Sequence, residues 1–176
     1  MSEYGVVTGA GTVRFERLLP GPVERVWAYL TESEQRGSWL APGKMELRVG
    51  GRVELTFHHA DLSGEKTTPA RYRSVEGGDT LHGQVTRCEP PRVLSFTWDE
   101  VGQNSEVSFE LTPRGEEVLL VLTHRRLGGR AERVSVASGW HTHLGILGDR
   151  LADREPLGFW STHARLEADY EKRVAE

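Results

Sequence analysis

The chain has 176 residues, of which 37% are hydrophobic and 27% charged, enough for one globular domain that buries about two thirds of its surface. A net charge of -4 with basic residues scattered among acids argues against a nucleic-acid module. The single cysteine, Cys88, excludes an internal disulfide framework and fits a reducing, cytoplasmic setting.

No run approaches the ~18 consecutive apolar residues of a membrane span, and the N-terminus lacks a signal-peptide pattern. Residues 1–11 have no period and are expected to fray ahead of a single domain over 12–174. Thr12 to Leu19 reads as a strand with Val13 and Phe15 on one face. Gly21-Pro22 opens a helix whose Val23, Val26, Trp27 and Leu30 share a face. Thr31 and Glu34 have capping-box spacing, so a second short helix should follow, carrying Trp39 before Pro42 and Gly43 end it.

From Met45 the period changes to two. Gly50-Gly51 is expected to turn a hairpin joining Met45–Val49 to Arg52–His59, with Val53, Leu55, Phe57 and His59 facing one way. Residues 60–78 are polar and aperiodic, long for a structureless loop, and suggest a lid or insertion. Strands resume over 80–88, 93–98, 105–111 and 118–124 with close turn signals, the pattern of an antiparallel meander.

The Arg125, Arg126, Arg130 and Arg133 cluster is interrupted by Leu127, Gly128, Gly129 and Glu132, which makes it a solvated loop and helix start rather than a phosphate-tracking groove. In the helix that follows, Trp140, Leu144, Leu147 and Leu151 share one face, while Ile146, Asp149 and Arg150 point elsewhere. After Glu155-Pro156 a last helix repeats Phe159, His163, Leu166 and Tyr170 as a docking stripe. The expected fold class is therefore α+β: a curved antiparallel sheet of six or seven strands gripping a long C-terminal helix, with two short helices after the first strand.

The segments Leu19-Pro20-Gly21-Pro22-Val23-Glu24-Arg25-Val26-Trp27, Gly50-Gly51-Arg52, Glu89-Pro90-Pro91-Arg92, Leu94 to Trp98, Val107 to Pro113, and Gly139-Trp140 with Leu144 and Leu147 occur in an order that resembles one family. It is the SRPBCC or START-like superfamily, in the branch named after the activator of the Hsp90 ATPase. The resemblance spans roughly Val13 to Lys172. It implies a helix-grip (START/Bet v 1-like) fold with a cavity between sheet and helix. It does not imply one activity, because the superfamily holds lipid and hormone carriers, polyketide aromatases and cyclases, and co-chaperone domains. The namesake co-chaperone has a separate N-terminal domain that contributes to chaperone binding, whereas only residues 1–11 precede the first strand expected here.

The faces already read would line such a cavity with Leu55, Phe57, His59, Phe96 and Trp98 from the strands, Trp140, His143, Leu144 and Leu147 from the helix, and Trp39 at the mouth. Trp98 and Trp140 would bracket a ligand, Phe57 and Phe96 would floor it, and the two histidines would orient a polar group. An apolar, aromatic pocket with few polar groups is the usual form of a small-molecule site.

His141 and His143, two apart on a helix, diverge by about 200° and cannot clamp one ion. His58 and His59 face opposite sides of a strand, so only His59 and His143 could meet, too few ligands for zinc. No P-loop, dinucleotide fingerprint or nucleophile elbow is present, and Ser63-Gly64-Glu65-Lys66 sits in a polar loop rather than opening a helix. The expected activity is binding of a small hydrophobic or aromatic molecule without metal or cofactor. The alternatives are a co-chaperone-like interaction module, and a cyclase-type enzyme using His59, His143 or Asp99 as acid or base. Exposed strand edges are compatible with a homodimer.

Overall fold

A computed structural model describes residues 2–8, 11–66, 69, 79–98 and 105–174. Seven antiparallel strands form one sheet: β1 (Val6–Thr8), β2 (Thr12–Pro20), β3 (Arg52–Phe57), β4 (Asp79–Glu89), β5 (Val93–Thr97), β6 (Glu106–Arg114) and β7 (Glu117–Arg125). Their spatial order is β1-β2-β7-β6-β5-β4-β3, a meander from β3 to β7 closed by β2 returning beside β7. Helices α1 (Val23–Thr31) and α2 (Ser33–Gly37) follow β2, and α3 (Arg130–Leu151) and α4 (Phe159–Arg173) follow β7. This is the helix-grip fold.

Alternation produces the inner face. Val13, Phe15 and Leu19 of β2, Val107, Phe109 and Leu111 of β6, and Val118, Leu120, Leu122 and His124 of β7 are all buried at period two. The sheet bends along β4, where the register shifts between Val85 and Arg87. A side chain at Gly83 would run into the Thr97 carbonyl oxygen, so only glycine fits that crossing.

Helix α3 is covered by the sheet on one side and α4 on the other. Ile146, expected to point away from the core, is buried, as are Trp140, Leu144, Leu147 and Leu151. The stripe Phe159, His163, Leu166 and Tyr170 of α4 supplies the second cover. No helix of the described residues is long and apolar enough to cross a membrane.

Four local expectations are corrected. The expected frayed segment contains β1, with Val6 paired to Arg14 and Val7 to Val13 of β2. It is tied down by the Gly5 N–H donating to Tyr170 Oη at 2.8 Å and by Tyr4 Oη donating to Asp169 at 2.7 Å. The strand expected at Met45–Val49 is reduced to a bridge between Met45 and Val53. The expected turn is made over Arg48–Gly51, where the Gly51 N–H donates to the Arg48 carbonyl at 2.8 Å, Gly50 adopts φ +85° and a side chain at Gly51 would meet the Glu46 carbonyl, and both glycines also pair with Val85 of β4. The Thr31 hydroxyl donates back to the Trp27 carbonyl at 2.9 Å, leaving Glu32 at the start of α2 and the capping box unmade. Finally, β3 ends at Phe57, and His59 begins a 3-10 turn through Asp61.

That turn bears on the segment expected as a lid. Its described start is fastened to α4: Ser63 Oγ accepts the Phe159 N–H at 2.9 Å, and the Glu65 carboxylate accepts the Ser161 N–H at 2.8 Å. An anion at a helix N-terminus satisfies free donors and opposes the helix dipole favourably. The lid reading itself falls mostly on residues outside the described ones.

Candidate functional site

Where the open end of the sheet meets the middle of α3, a recess of about 200 Å³ is lined by Leu40, Phe57, His59, Asp79, Trp98 and His124, and by Ser135, Val136, Gly139, Trp140 and His143 of α3. Positions 136, 140 and 143 lie one turn apart along a helix face, with 135 and 139 beside them. Gly139 leaves open space where a side chain would project.

Of the ten residues expected at the site, five meet here: Phe57, His59, Trp98, Trp140 and His143. Ring centroids are 5.9 Å apart for Phe57 and Trp98, 6.2 Å for Phe57 and His143, and 6.0 Å for His59 and His143. Trp98 and Trp140 touch edge to face at 5.2 Å, so they build one continuous wall instead of the expected bracket.

The other five are core. Leu55, Leu144 and Leu147 are fully buried away from the recess, and Phe96 lies behind the wall, stacked on Trp98 at 6.2 Å and on Phe109 at 6.1 Å. Trp39 does not stand at a mouth. Its indole N–H donates to the Tyr29 carbonyl at 2.7 Å and its ring packs edge-on against Phe109, sealed from solvent. What Trp39 contributes to the site is its backbone carbonyl, which accepts a hydrogen bond from His143 Nδ1 at 2.8 Å.

His124 was missed by the sequence reading as a site residue, although it continues the inward period Val118, Leu120, Leu122 of β7. It is nearly fully buried and organises a relay. Trp140 Nε1–H donates to His124 Nδ1 at 3.0 Å, His124 Nε2 meets Ser105 Oγ at 3.1 Å, and Ser105 Oγ donates to the Trp98 carbonyl at 2.6 Å. An indole N–H can only donate, so His124 Nδ1 is the acceptor and its proton sits on Nε2. The relay therefore anchors the Trp98–Trp140 wall through a neutral imidazole.

Burial lowers the basicity of all three recess histidines. His124 falls to about 4 and His143 to about 3 through loss of solvent, His143 also through the neighbouring His59. His59 falls to about 4 through burial and then the neighbouring His163. His59 Nδ1 is buried without a hydrogen-bond partner among the described residues. No group of three or more His, Cys, Asp or Glu among the described residues could hold a metal. Asp99, a candidate acid or base, lies outside the described residues.

The segment behind the recess is held by two arginines. Arg36, buried without a carboxylate partner among the described residues, donates to the carbonyls of Leu30, Thr31, Ala41 and Gly43. Arg150 of α3 donates to the Ser38 carbonyl at 3.0 Å and the Leu62 carbonyl at 3.3 Å. Together they fix the backbone from which the Trp39 carbonyl reaches His143.

Comparison with known proteins agrees with this architecture. A protein from Bordetella parapertussis, solved by NMR, is 48% identical with a TM-score of 0.84 over 98% of this chain and 91% of its own. CalU16 from Micromonospora echinospora, 24% identical, has a TM-score of 0.69 over 98% of this chain and 96% of its own. DynU16, a protein of the dynemicin biosynthetic locus, is 23% identical with a TM-score of 0.64 over 82% of this chain and 48% of its own. The last two share the fold. No curated protein matches the chain. The sequence profile described as "Activator of Hsp90 ATPase homolog 1-like protein" matches residues 20–152, and the chain belongs to that family.

Proposed function

We propose that the protein binds a small hydrophobic or aromatic molecule in the recess between sheet and α3. One observation carries this reading: the recess of about 200 Å³ is walled by Phe57, Trp98 and Trp140, with histidines held in place by hydrogen bonds to the protein's own groups. A cavity of about 150 Å³ suffices for benzene, so one or two fused rings are the expected size. Binding is favoured over acid–base chemistry because a general base works best with a pKa near the operating pH, and His143 at about 3 and His59 at about 4 are far below it.

A thermal-shift screen of one- and two-ring aromatics against the wild type and Gly139→Leu tests this. A ligand at 100 times its Kd stabilises the wild type by about 2.7 kcal/mol, whereas the leucine side chain fills the open space above Gly139 and abolishes the shift. No stabilising compound, or equal shifts in both proteins, contradicts the reading.

The family profile favours a second reading, a chaperone-directed module. It predicts that the protein co-purifies with Hsp90 and raises its ATPase rate; absence of both removes it.

A further inference from the structure

The hydrogen bonds around the recess determine more than shape, because they decide which ring nitrogens carry protons. A backbone carbonyl only accepts, so the contact of 2.8 Å between His143 Nδ1 and the Trp39 carbonyl places the His143 proton on Nδ1. Nε2 of that ring is left as a lone-pair acceptor in the wall. The proton of His124 is on Nε2 and is spent on Ser105, whose own proton goes to the Trp98 carbonyl. Neither imidazole therefore has an N–H to offer a ligand. His59 adds a buried Nδ1 with no partner among the described residues, and Asp79 adds a carboxylate. No lysine or arginine is among the described lining residues.

We propose that the recess selects neutral hydroxylated aromatics, phenols as a class, over aromatic carboxylates, because the His143 imidazole is held as an acceptor, that of His124 has its N–H engaged, and the charged side chain among the described lining residues is an anion. This rests on the binding reading above and narrows it. A phenolic O–H supplies the donor that His143 Nε2 lacks; a carboxylate brings no donor and meets that lone pair and Asp79.

The test is titration calorimetry at neutral pH with naphthalene, 2-naphthol and 2-naphthoate, which share a ring system and differ in the polar group. One satisfied hydrogen bond makes 2-naphthol bind about tenfold tighter than naphthalene, and 2-naphthoate binds more weakly than 2-naphthol by at least about the same factor. His143→Asn keeps a side-chain N–H for the Trp39 carbonyl and removes Nε2, so the preference for 2-naphthol over naphthalene collapses. Should that variant not fold, nitrogen-15 NMR of the wild-type histidines decides independently: His143 must be the Nδ1–H tautomer and His124 the Nε2–H tautomer. Equal binding of naphthalene and 2-naphthol, tightest binding of 2-naphthoate, or the opposite tautomers overturns the selectivity and leaves the binding reading standing. No binding of any of the three probes overturns both.

Discussion

Arg36 places a guanidinium in the interior, only 1% exposed. Burial pulls its guanidinium down to about 10, and among the described residues its partners are carbonyl oxygens rather than a counter-ion, two of them, Leu30 and Thr31, at the C-terminus of α1 where the helix dipole is negative. Arg36→Met leaves four carbonyls without that donor and is expected to lose about 3 kcal/mol or more. Urea denaturation reads the loss directly, and a change under about 1 kcal/mol contradicts the account. At this scale the sequence was legible for side chains whose neighbours follow from period two or 3.6, such as Phe57, Trp98 and Trp140. It was not legible for Arg36, two of whose partners, Ala41 and Gly43, lie on irregular backbone between α2 and β3, or for the Trp39 carbonyl, which sits on that same irregular stretch. Trp39 illustrates the reason: a large indole beside Pro42 and Gly43 suggests a mouth, but its N–H is satisfied by α1 and its ring by β6.

Among the elements, α3 carries three glycines, Gly139, Gly145 and Gly148, each with open space where a side chain would project. Glycine in a helix interior costs about 1 kcal/mol relative to alanine, so Gly148→Ala, away from the recess, is expected to stabilise the protein by about that much in thermal melts. A loss of stability would contradict the open space at Gly148. The position of α3 was readable from Trp140, Leu144, Leu147 and Leu151, but its second buried face was not. Ile146 and His141 became interior because α4 covers them, and His141 Nδ1 shares a hydrogen bond of 2.9 Å with the same Tyr170 hydroxyl that receives the Gly5 N–H. That hydroxyl also explains β1: three residues are too few to signal a strand by pattern, and β1 persists through pairing with β2 and anchoring on α4.

For the whole molecule, the order of turns and apolar alternation announced a helix-grip fold, since those signals are local and repeat along the chain. The site was half legible, because which inward residues reach a recess depends on how far sheet and helix separate, a property no single face reveals. One consequence belongs to this scale alone. His59, His124, His141 and His143 all have basicity lowered by burial, to between about 3 and about 4, whereas an unfolded histidine titrates near 6.5. The unfolded chain therefore binds more protons between those values. Stability is full above pH of about 6.5 and falls as pH drops toward 4, because the native state must keep these rings neutral. Denaturation midpoints should correspond to a loss of at least about 2 kcal/mol between pH 7 and 4.5; a flat profile over that window contradicts the burial of these imidazoles.

The most direct test of aromatic binding in the recess uses the five tryptophans as reporters. Each indole N–H gives its own signal in a proton–nitrogen correlation spectrum, and two of the five, Trp98 and Trp140, lie in the recess wall. Titration with 2-naphthol is predicted to move the Trp98 and Trp140 signals in a saturable manner while Trp27 stays in place, and to leave all of them unmoved in Gly139→Leu. Saturable shifts confined to Trp27 or Trp160, or no shifts at all, would contradict it.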